Sequence, residues 1–158
     1  MKLYVIRHAA AVESLAGIPD ELRPLTDEGR EEFARVVHGL RALDVRFDLL
    51  LHSPLLRALE TAELCAPLLL GESEVTPMLA QAPGPELLAL LRHDNVALVG
   101  HEPWVSELVS WMLTENRELS NTFGMKKGAV AVLEGEPKPG QMRLVGFYPP
   151  SALREIGN

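Results

Sequence analysis

Apolar residues in this chain gather in short unbroken runs separated by longer amphipathic stretches. Leu3-Tyr4-Val5-Ile6 is the first run, rich in strand formers and without polar alternation, as suits a strand covered on both faces of a parallel sheet. It ends at Arg7-His8. Glu13 to Pro24 mixes charges with Gly17, Pro19 and Pro24, which predicts an irregular loop with room for one helical turn. Thr26 then offers an N-cap, and Asp27 and Glu28 place negative charge in a first turn. Phe33, Val36, Val37, Leu40 and Leu43 recur at helical spacing, so the helix should run to about Leu43. Phe47 to Leu51 predicts a second strand. Ser53 as N-cap and Pro54 at the first helical position predict a helix from Pro54 to about Leu69.

Beyond this helix the pattern weakens to an extended segment near Glu74 to Leu79, the loop Ala82-Pro83-Gly84-Pro85 and a short helix from Glu86 to about Arg92. Asn95 to Val99 is the third clear strand and ends at Gly100-His101. Pro103 opens a helix whose Val105, Leu108, Val109 and Met112 form one apolar stripe. Ala129 to Leu133 and Met142 to Tyr148 read as two strands joined by the turn-rich Glu134 to Gly140, and the last ten residues are expected to be peripheral. No repeat or low-complexity tract interrupts the series. Strands alternating with helices predict an α/β fold, a three-layer α/β/α sandwich around a mostly parallel sheet with an antiparallel edge pair, as a single domain over residues 1–158.

Composition narrows the class without choosing a function. With 47% hydrophobic and 23% charged residues in 158, the chain is expected to be an ordinary globular protein able to bury a core. Its net charge of −7 and pI near 5.2 argue against nucleic acid or an anionic membrane as partner, so any affinity for an anion must be local. Cys65 is the sole cysteine, which excludes an internal disulfide and cysteine-rich zinc sites. The opening apolar run is too short for a signal peptide, and no stretch approaches the ~20 apolar residues of a spanning helix. A cytoplasmic protein is therefore expected.

Ligands of open α/β sheets bind at the carboxyl ends of strands, and three strand-to-helix junctions here carry Arg7-His8, His52 with Arg57, and His101. Arg57 should lie in the first turn of its helix, where free backbone N–H groups and the helix dipole favour an anion. Two arginines can hold the non-transferring oxygens of a phosphoryl group while an imidazole attacks phosphorus. A second histidine, protonated, can neutralise charge on those oxygens without a metal or other cofactor. His52 and His93 add a zinc reading, but no H-x-x-x-H or H-E-x-x-H pairing exists and the arginines would repel a cation. Taken singly, Arg7 and His8 could be strand-end surface residues, His101 a buried strand-end histidine, and Arg57 the partner of Glu60 on a helix surface. Their joint placement favours chemistry. Trp104, Trp111, Met112 and Met125 read as core or pocket wall.

Four segments carry a resemblance: R-H-A at Arg7 to Ala9, R-P-L-T-D-E-G at Arg23 to Gly29, S-P-L-L-R-A-L-E-T-A at Ser53 to Ala62, and G-H-E-P-W at Gly100 to Trp104. In this order they resemble the histidine phosphatase superfamily, also called phosphoglycerate mutase-like. The chain is most similar to its short bacterial phosphohistidine phosphatase type, over about residues 2 to 115. The resemblance implies that His8 is a transiently phosphorylated nucleophile, His101 its electrostatic partner, and Arg7 and Arg57 phosphate ligands. It implies a metal-independent hydrolase acting on a phosphorylated substrate such as a phosphohistidine-carrying protein. Phosphatases of sugar or nucleotide esters and a non-catalytic phosphate-binding module are the rival readings. Two departures stand out. Ala9 replaces the usual glycine and restricts φ. Larger members carry a glutamate near where this chain has Leu79-Ala80-Gln81, leaving Glu86, Glu102 and Asp27 as substitute general acids, or none. A missing acid favours an easily expelled leaving group such as the imidazole of phosphohistidine.

Overall fold

The computed structural model describes residues 1–14 and 17–158. β1 (Lys2–Arg7), β2 (Phe47–His52), β3 (Leu69–Val75) and β4 (Asn95–Gly100) run parallel to one another. β5 (Val130–Gly135) is antiparallel to both β1 and β6 (Met142–Tyr148). The order β3-β2-β4-β1-β5-β6 puts β4 and β1 at the centre of the sheet, where Leu3 to Ile6 and Val96 to Val99 are buried throughout.

Alternation along each strand explains the unbroken apolar runs, because successive side chains enter opposite layers. Tyr4, Ile6, Leu50, Ala97 and Val99 join Phe33, Leu40, Ala58 and Leu68 beneath α1 (Asp27–Ala42) and α2 (Leu56–Leu64). Leu3, Val5, Leu51, Val96 and Leu98 join Leu87, Leu108 and Met112 beneath α3 (Pro85–Leu88) and α4 (Trp104–Thr114). The expected α/β/α layering and antiparallel edge are present. Trp111, Met112 and Met125 belong to the second layer, as the sequence suggested. Among the described residues, no helix is long and apolar enough to cross a membrane.

Several boundaries differ from expectation for physical reasons. Thr26 caps α1 as predicted, accepting from the Gly29 N–H at 2.9 Å, and the helix ends at Ala42 with Leu43 as C-cap, close to the expected end, before the chain reverses through Asp44 at φ 57°. Ser53 does not cap α2; Leu55 holds the N-cap position, and the helix gives way after Leu64 to a single 3₁₀ turn, Ala66–Leu68, containing Pro67. The extended segment placed near Glu74 to Leu79 lies earlier, at Leu69–Val75, and Pro77–Ala80 is a 3₁₀ turn instead. β3 is an edge strand with most residues exposed, so it carries no apolar periodicity. Of the helix expected from Glu86 to Arg92, only Pro85–Leu88 is helical.

The C-terminus corrects a further expectation, since it is not peripheral. Pro150–Ile156 forms α5, which packs on α1 with Leu153 fully buried. Contact is close because Gly39 has no Cβ; one placed there would lie 2.0 Å from the Leu153 carbonyl oxygen. Leu153→Ala is expected to destabilise the protein by about 2–4 kcal/mol through lost burial and a residual cavity. Urea denaturation measures this, and a change below about 0.5 kcal/mol, typical of surface sites, would place α5 outside the cooperative core.

Candidate active site

The carboxyl ends of β1, β4 and β2 lie side by side, and the chain leaves each under tight hydrogen-bond control. Parallel pairing sets Arg7 opposite Gly100 and His52 opposite Val99, so His8, His101 and Ser53 each follow their strand by one residue. The His8 N–H donates to the Gly100 carbonyl at 3.0 Å and the Ser53 N–H to the Val99 carbonyl at 3.1 Å, extending both ladders beyond the strands. The Gly128 N–H donates to the carbonyls of Arg7 and His8, each at 3.1 Å.

His8 is buried, and its Nδ1 lies 2.7 Å from the Ala9 carbonyl oxygen. A carbonyl can only accept, so Nδ1 carries the proton and Nε2 keeps its lone pair. The Ala9 N–H donates to Thr61 Oγ1 at 3.0 Å, and that hydroxyl donates to the Arg57 carbonyl at 2.6 Å, tying the nucleophile loop to α2. Ala9 itself is unstrained: among the described non-glycine residues, positive φ occurs only at Asp44 and Glu115. Its methyl group packs into the α1–α2 core layer.

Arg57 occupies the first turn of α2, as expected; it is buried, and its partner is not Glu60. Its Nη1 donates to the Asp20 carbonyl at 2.8 Å and its Nη2 lies 3.2 Å from the Asp20 carboxylate. Glu60 instead accepts the Leu25 N–H at 2.7 Å and pairs with Arg30 at 2.6 Å. Arg7 donates from Nη1 to the Met125 carbonyl at 2.7 Å. The His101 ring lies 5.1 Å from that of His8 between centroids and stands edge-on to Trp104, and its Nε2 is 2.7 Å from Ser53 Oγ.

Buried polar atoms are nearly always hydrogen-bonded, so exceptions need a reason. Among the described residues, three buried side-chain atoms lack a partner: Arg7 Nε, Arg57 Nε and His101 Nδ1. All three belong to the groups gathered around His8.

Electrostatics favour neutral imidazoles here. Burial, then the nearby His101, Arg57 and Arg7, lowers the His8 pKa to about 3, against the opposing hydrogen bond to Ala9. Burial, then Arg57, Arg7 and Arg23, lowers His101 to about 4, with Asp20 opposing. Burial, and after it the neighbouring guanidinium groups, disfavours the protonated form of His101 that the sequence reading invoked. A histidine with a depressed folded pKa binds fewer protons folded than unfolded, so stability is lost as pH falls. The loss should begin near the ordinary value of 6.5 and continue toward about 4 for His101 and about 3 for His8. Thermal melts between pH 7 and 5, above the range where most carboxylates titrate, should therefore show a falling midpoint. A flat midpoint would contradict a neutral pair.

The remaining sequence candidates are placed as follows. Asp27 and Glu86 are exposed, while the two Glu102 carboxylate oxygens lie 2.6 and 2.8 Å from Ser106 Oγ, which is also 2.8 Å from the Phe123 carbonyl, and Oε1 accepts the Ser106 N–H at 3.1 Å. His52 is buried with Nδ1 on the Ser53 carbonyl at 2.9 Å, and His93 is exposed. No group of three or more His, Cys, Asp or Glu side chains among the described residues is arranged to hold a metal ion. Leu79 and Gln81, from the segment that has no carboxylate, line an apolar cleft beside His101 together with Met78, Pro83 and Trp104. Sequence reasoning missed two residues here, Ser53 as a side chain of the site and Asp20. The only hint of the latter was its i,i+3 spacing from Arg23, which it pairs at 2.9 Å.

A family model described as the histidine phosphatase superfamily (branch 1) matches residues 3–82, from β1 through the turn after β3. The chain belongs to that superfamily. An uncharacterized protein of Picosynechococcus is 32% identical over 150 residues, covering 84% of this chain and 88% of its own. The protein histidine phosphatase SixA, solved with tungstate, superposes with a TM-score of 0.79 at 26% identity, covering 97% of this chain and 99% of that one. The putative phosphohistidine phosphatase SixA of Agrobacterium tumefaciens gives 0.73 at 25% identity, with 93% and 96% covered. A phosphoserine phosphatase of Entamoeba histolytica shares the fold at 17% identity and a TM-score of 0.71, with 92% and 95% covered. The matched region of this histidine phosphatase supplies His8 and Arg57, and His101 lies beyond it in sequence, at the end of β4, which runs between β2 and β1 in the sheet.

Proposed function

We propose that the chain is a phosphohistidine phosphatase that works through a covalent phosphohistidine on His8. One observation carries the reading: the unpartnered atoms Arg7 Nε, Arg57 Nε and His101 Nδ1 belong to the three groups whose charge or ring lies next to His8, a histidine whose Nδ1 is committed to the Ala9 carbonyl. Guanidinium N–H groups left without a protein partner near one imidazole suit the equatorial oxygens of a phosphoryl group. Neutral Nε2 of His8 attacks phosphorus in line; the N–P bond forms as the bond to the leaving group breaks, with its electron pair going to the leaving atom. Water then attacks the phosphoryl group opposite Nε2, the N–P bond breaks, and inorganic phosphate departs with His8 restored. Phosphoryl transfer of this kind depends mainly on position and charge stabilisation.

The substrate follows from the leaving group. The segment Leu79-Ala80-Gln81 carries no carboxylate, Asp27 and Glu86 are exposed and Glu102 is engaged by Ser106, which favours a leaving group that needs no proton from the protein. The imidazole of a phosphohistidine needs less help, particularly when its other nitrogen is already protonated. Relatives named as phosphohistidine phosphatases at 25–26% identity support the same choice. A phosphohistidine-carrying protein is therefore the proposed partner. Dephosphorylation of such a protein, compared with sugar, nucleotide and aryl phosphates in excess EDTA, tests the proposal. The expected result is a kcat/KM on phosphohistidine at least about 100-fold above that on alkyl esters, the scale of general-acid assistance those esters would lack. Preference for an ester would overturn the substrate assignment, and binding without turnover of any substrate would overturn catalysis.

A further inference from the structure

Ser53 sits on the stretch that sequence reading assigned to starting a helix, yet its fully buried hydroxyl faces His101. Its Oγ accepts the Leu55 N–H at 3.2 Å and lies 2.7 Å from His101 Nε2. These two contacts decide where the protons are. If Nε2 carried a hydrogen, Oγ would accept twice and the Ser53 hydroxyl hydrogen would be buried with no acceptor among the described residues. His101 Nδ1 would then turn a bare lone pair toward the phosphoryl oxygens. With the hydroxyl donating to Nε2, every proton in the chain Leu55–Ser53–His101 has a partner except the one on Nδ1, which is buried and has no protein partner.

We infer that Ser53 is a positioning residue for His101, donating to Nε2 and so holding the neutral Nδ1–H tautomer that supplies the third hydrogen bond to the phosphoryl group. The inference rests on the phosphatase reading for the role of that hydrogen bond, and it changes the chemistry of the pocket. His101 acts as a neutral donor, and the positive charge comes from the arginines alone. The groups facing His101 agree with this assignment. Arg7 and neutral His8 approach from the end of β1, Arg57 from α2, and Asp20 with Arg23 from the turn that meets Arg57, so three guanidinium groups oppose one carboxylate. Trp104 from α4 contributes no charge, and Glu102 is bound to Ser106.

The test combines a spectroscopic signature with kinetics. Two-bond ¹H–¹⁵N correlations of the His101 ring at pH 7 distinguish Nδ1–H, Nε2–H and imidazolium. Wild type should show Nδ1–H, Ser53→Ala should lose that preference, and Ser53→Thr, which keeps the hydroxyl, should restore it. On an aryl phosphate, kcat for Ser53→Ala should fall on the order of 100-fold, the scale of losing one transition-state donor, with KM changed little. Wild type showing Nε2–H or imidazolium would overturn the inference without reliance on any variant. Ser53→Ala with an unchanged tautomer would overturn it as well, whatever its rate. A wild-type Nδ1–H signal that depends on Ser53, in a protein that turns over no phosphate compound, would overturn the phosphatase reading and leave the tautomer assignment standing.

Discussion

His8→Ala lowers kcat by about 10⁶-fold, to background, on every phosphorylated substrate the protein accepts, the scale seen when a nucleophile of a covalent mechanism is removed. The effect is large because nothing near His8 can replace it. His101 is turned with Nε2 on Ser53 Oγ, and its Nδ1 is the proton-bearing atom of the proposed site. His52 is held through Nδ1 on the Ser53 carbonyl. The substitution removes a neutral buried ring that makes one side-chain hydrogen bond, to the neighbouring Ala9 carbonyl, so the fold should persist. Arg7 and Arg57 keep their donors, and inorganic phosphate should still bind. Steady-state assays beside circular dichroism check both halves. Retention of even a hundredth of wild-type kcat by a folded His8→Ala protein would remove His8 from the mechanism.

Arg57→Ala should cost about 10³-fold in kcat/KM, and Arg57→Lys should recover little of it. The guanidinium does two jobs with separate atoms. Nη1 and Nη2 hold the Asp20 carbonyl and carboxylate, while Nε remains unpartnered beside His8. A lysine ammonium is a point donor on a flexible stem and cannot keep both sets in the same plane. Losing the Asp20 contacts also releases the turn Asp20–Leu22 from α2, so KM should rise along with the fall in kcat. Steady-state kinetics of the two variants decide the matter. A lysine variant within about threefold of wild type would mean that charge alone is needed, contrary to the directed donation described here.

The parts of this structure visible in the sequence are those whose burial is complete or whose punctuation is strong. β1, β2 and β4 were legible because both faces are covered, which leaves runs such as Val96 to Val99 with no polar break. Arg7, His8, Arg57 and His101 stood out because each closes or follows such a run. β3 was misplaced because an exposed edge strand, with Leu70 and Val75 open to solvent, has no apolar face to read. α5 was missed because a helix of two turns needs only Leu153 in the core, and one residue makes no period. Ser53-Pro54 fits a helix start equally well in either role; its hydroxyl is committed to His101 by the pairing of β2 with β4, 48 residues away in sequence. Asp20 reaches Arg57 across 37 residues of chain, through a loop whose composition reports only that it is a loop. The local electrostatic setting was the least legible property, because a net charge of −7 is silent about three guanidinium groups gathered near one pair of histidines.

The central claim is a bond between phosphorus and Nε2 of His8. Rapid mixing with an isotopically labelled phosphohistidine substrate, quenched in alkali and followed by peptide mapping, detects that bond directly. The predicted result is acid-labile, alkali-stable label formed within the first turnover, confined to the peptide containing His8 and absent from His8→Ala. Turnover without any such labelled intermediate, or label on another residue, would contradict the account.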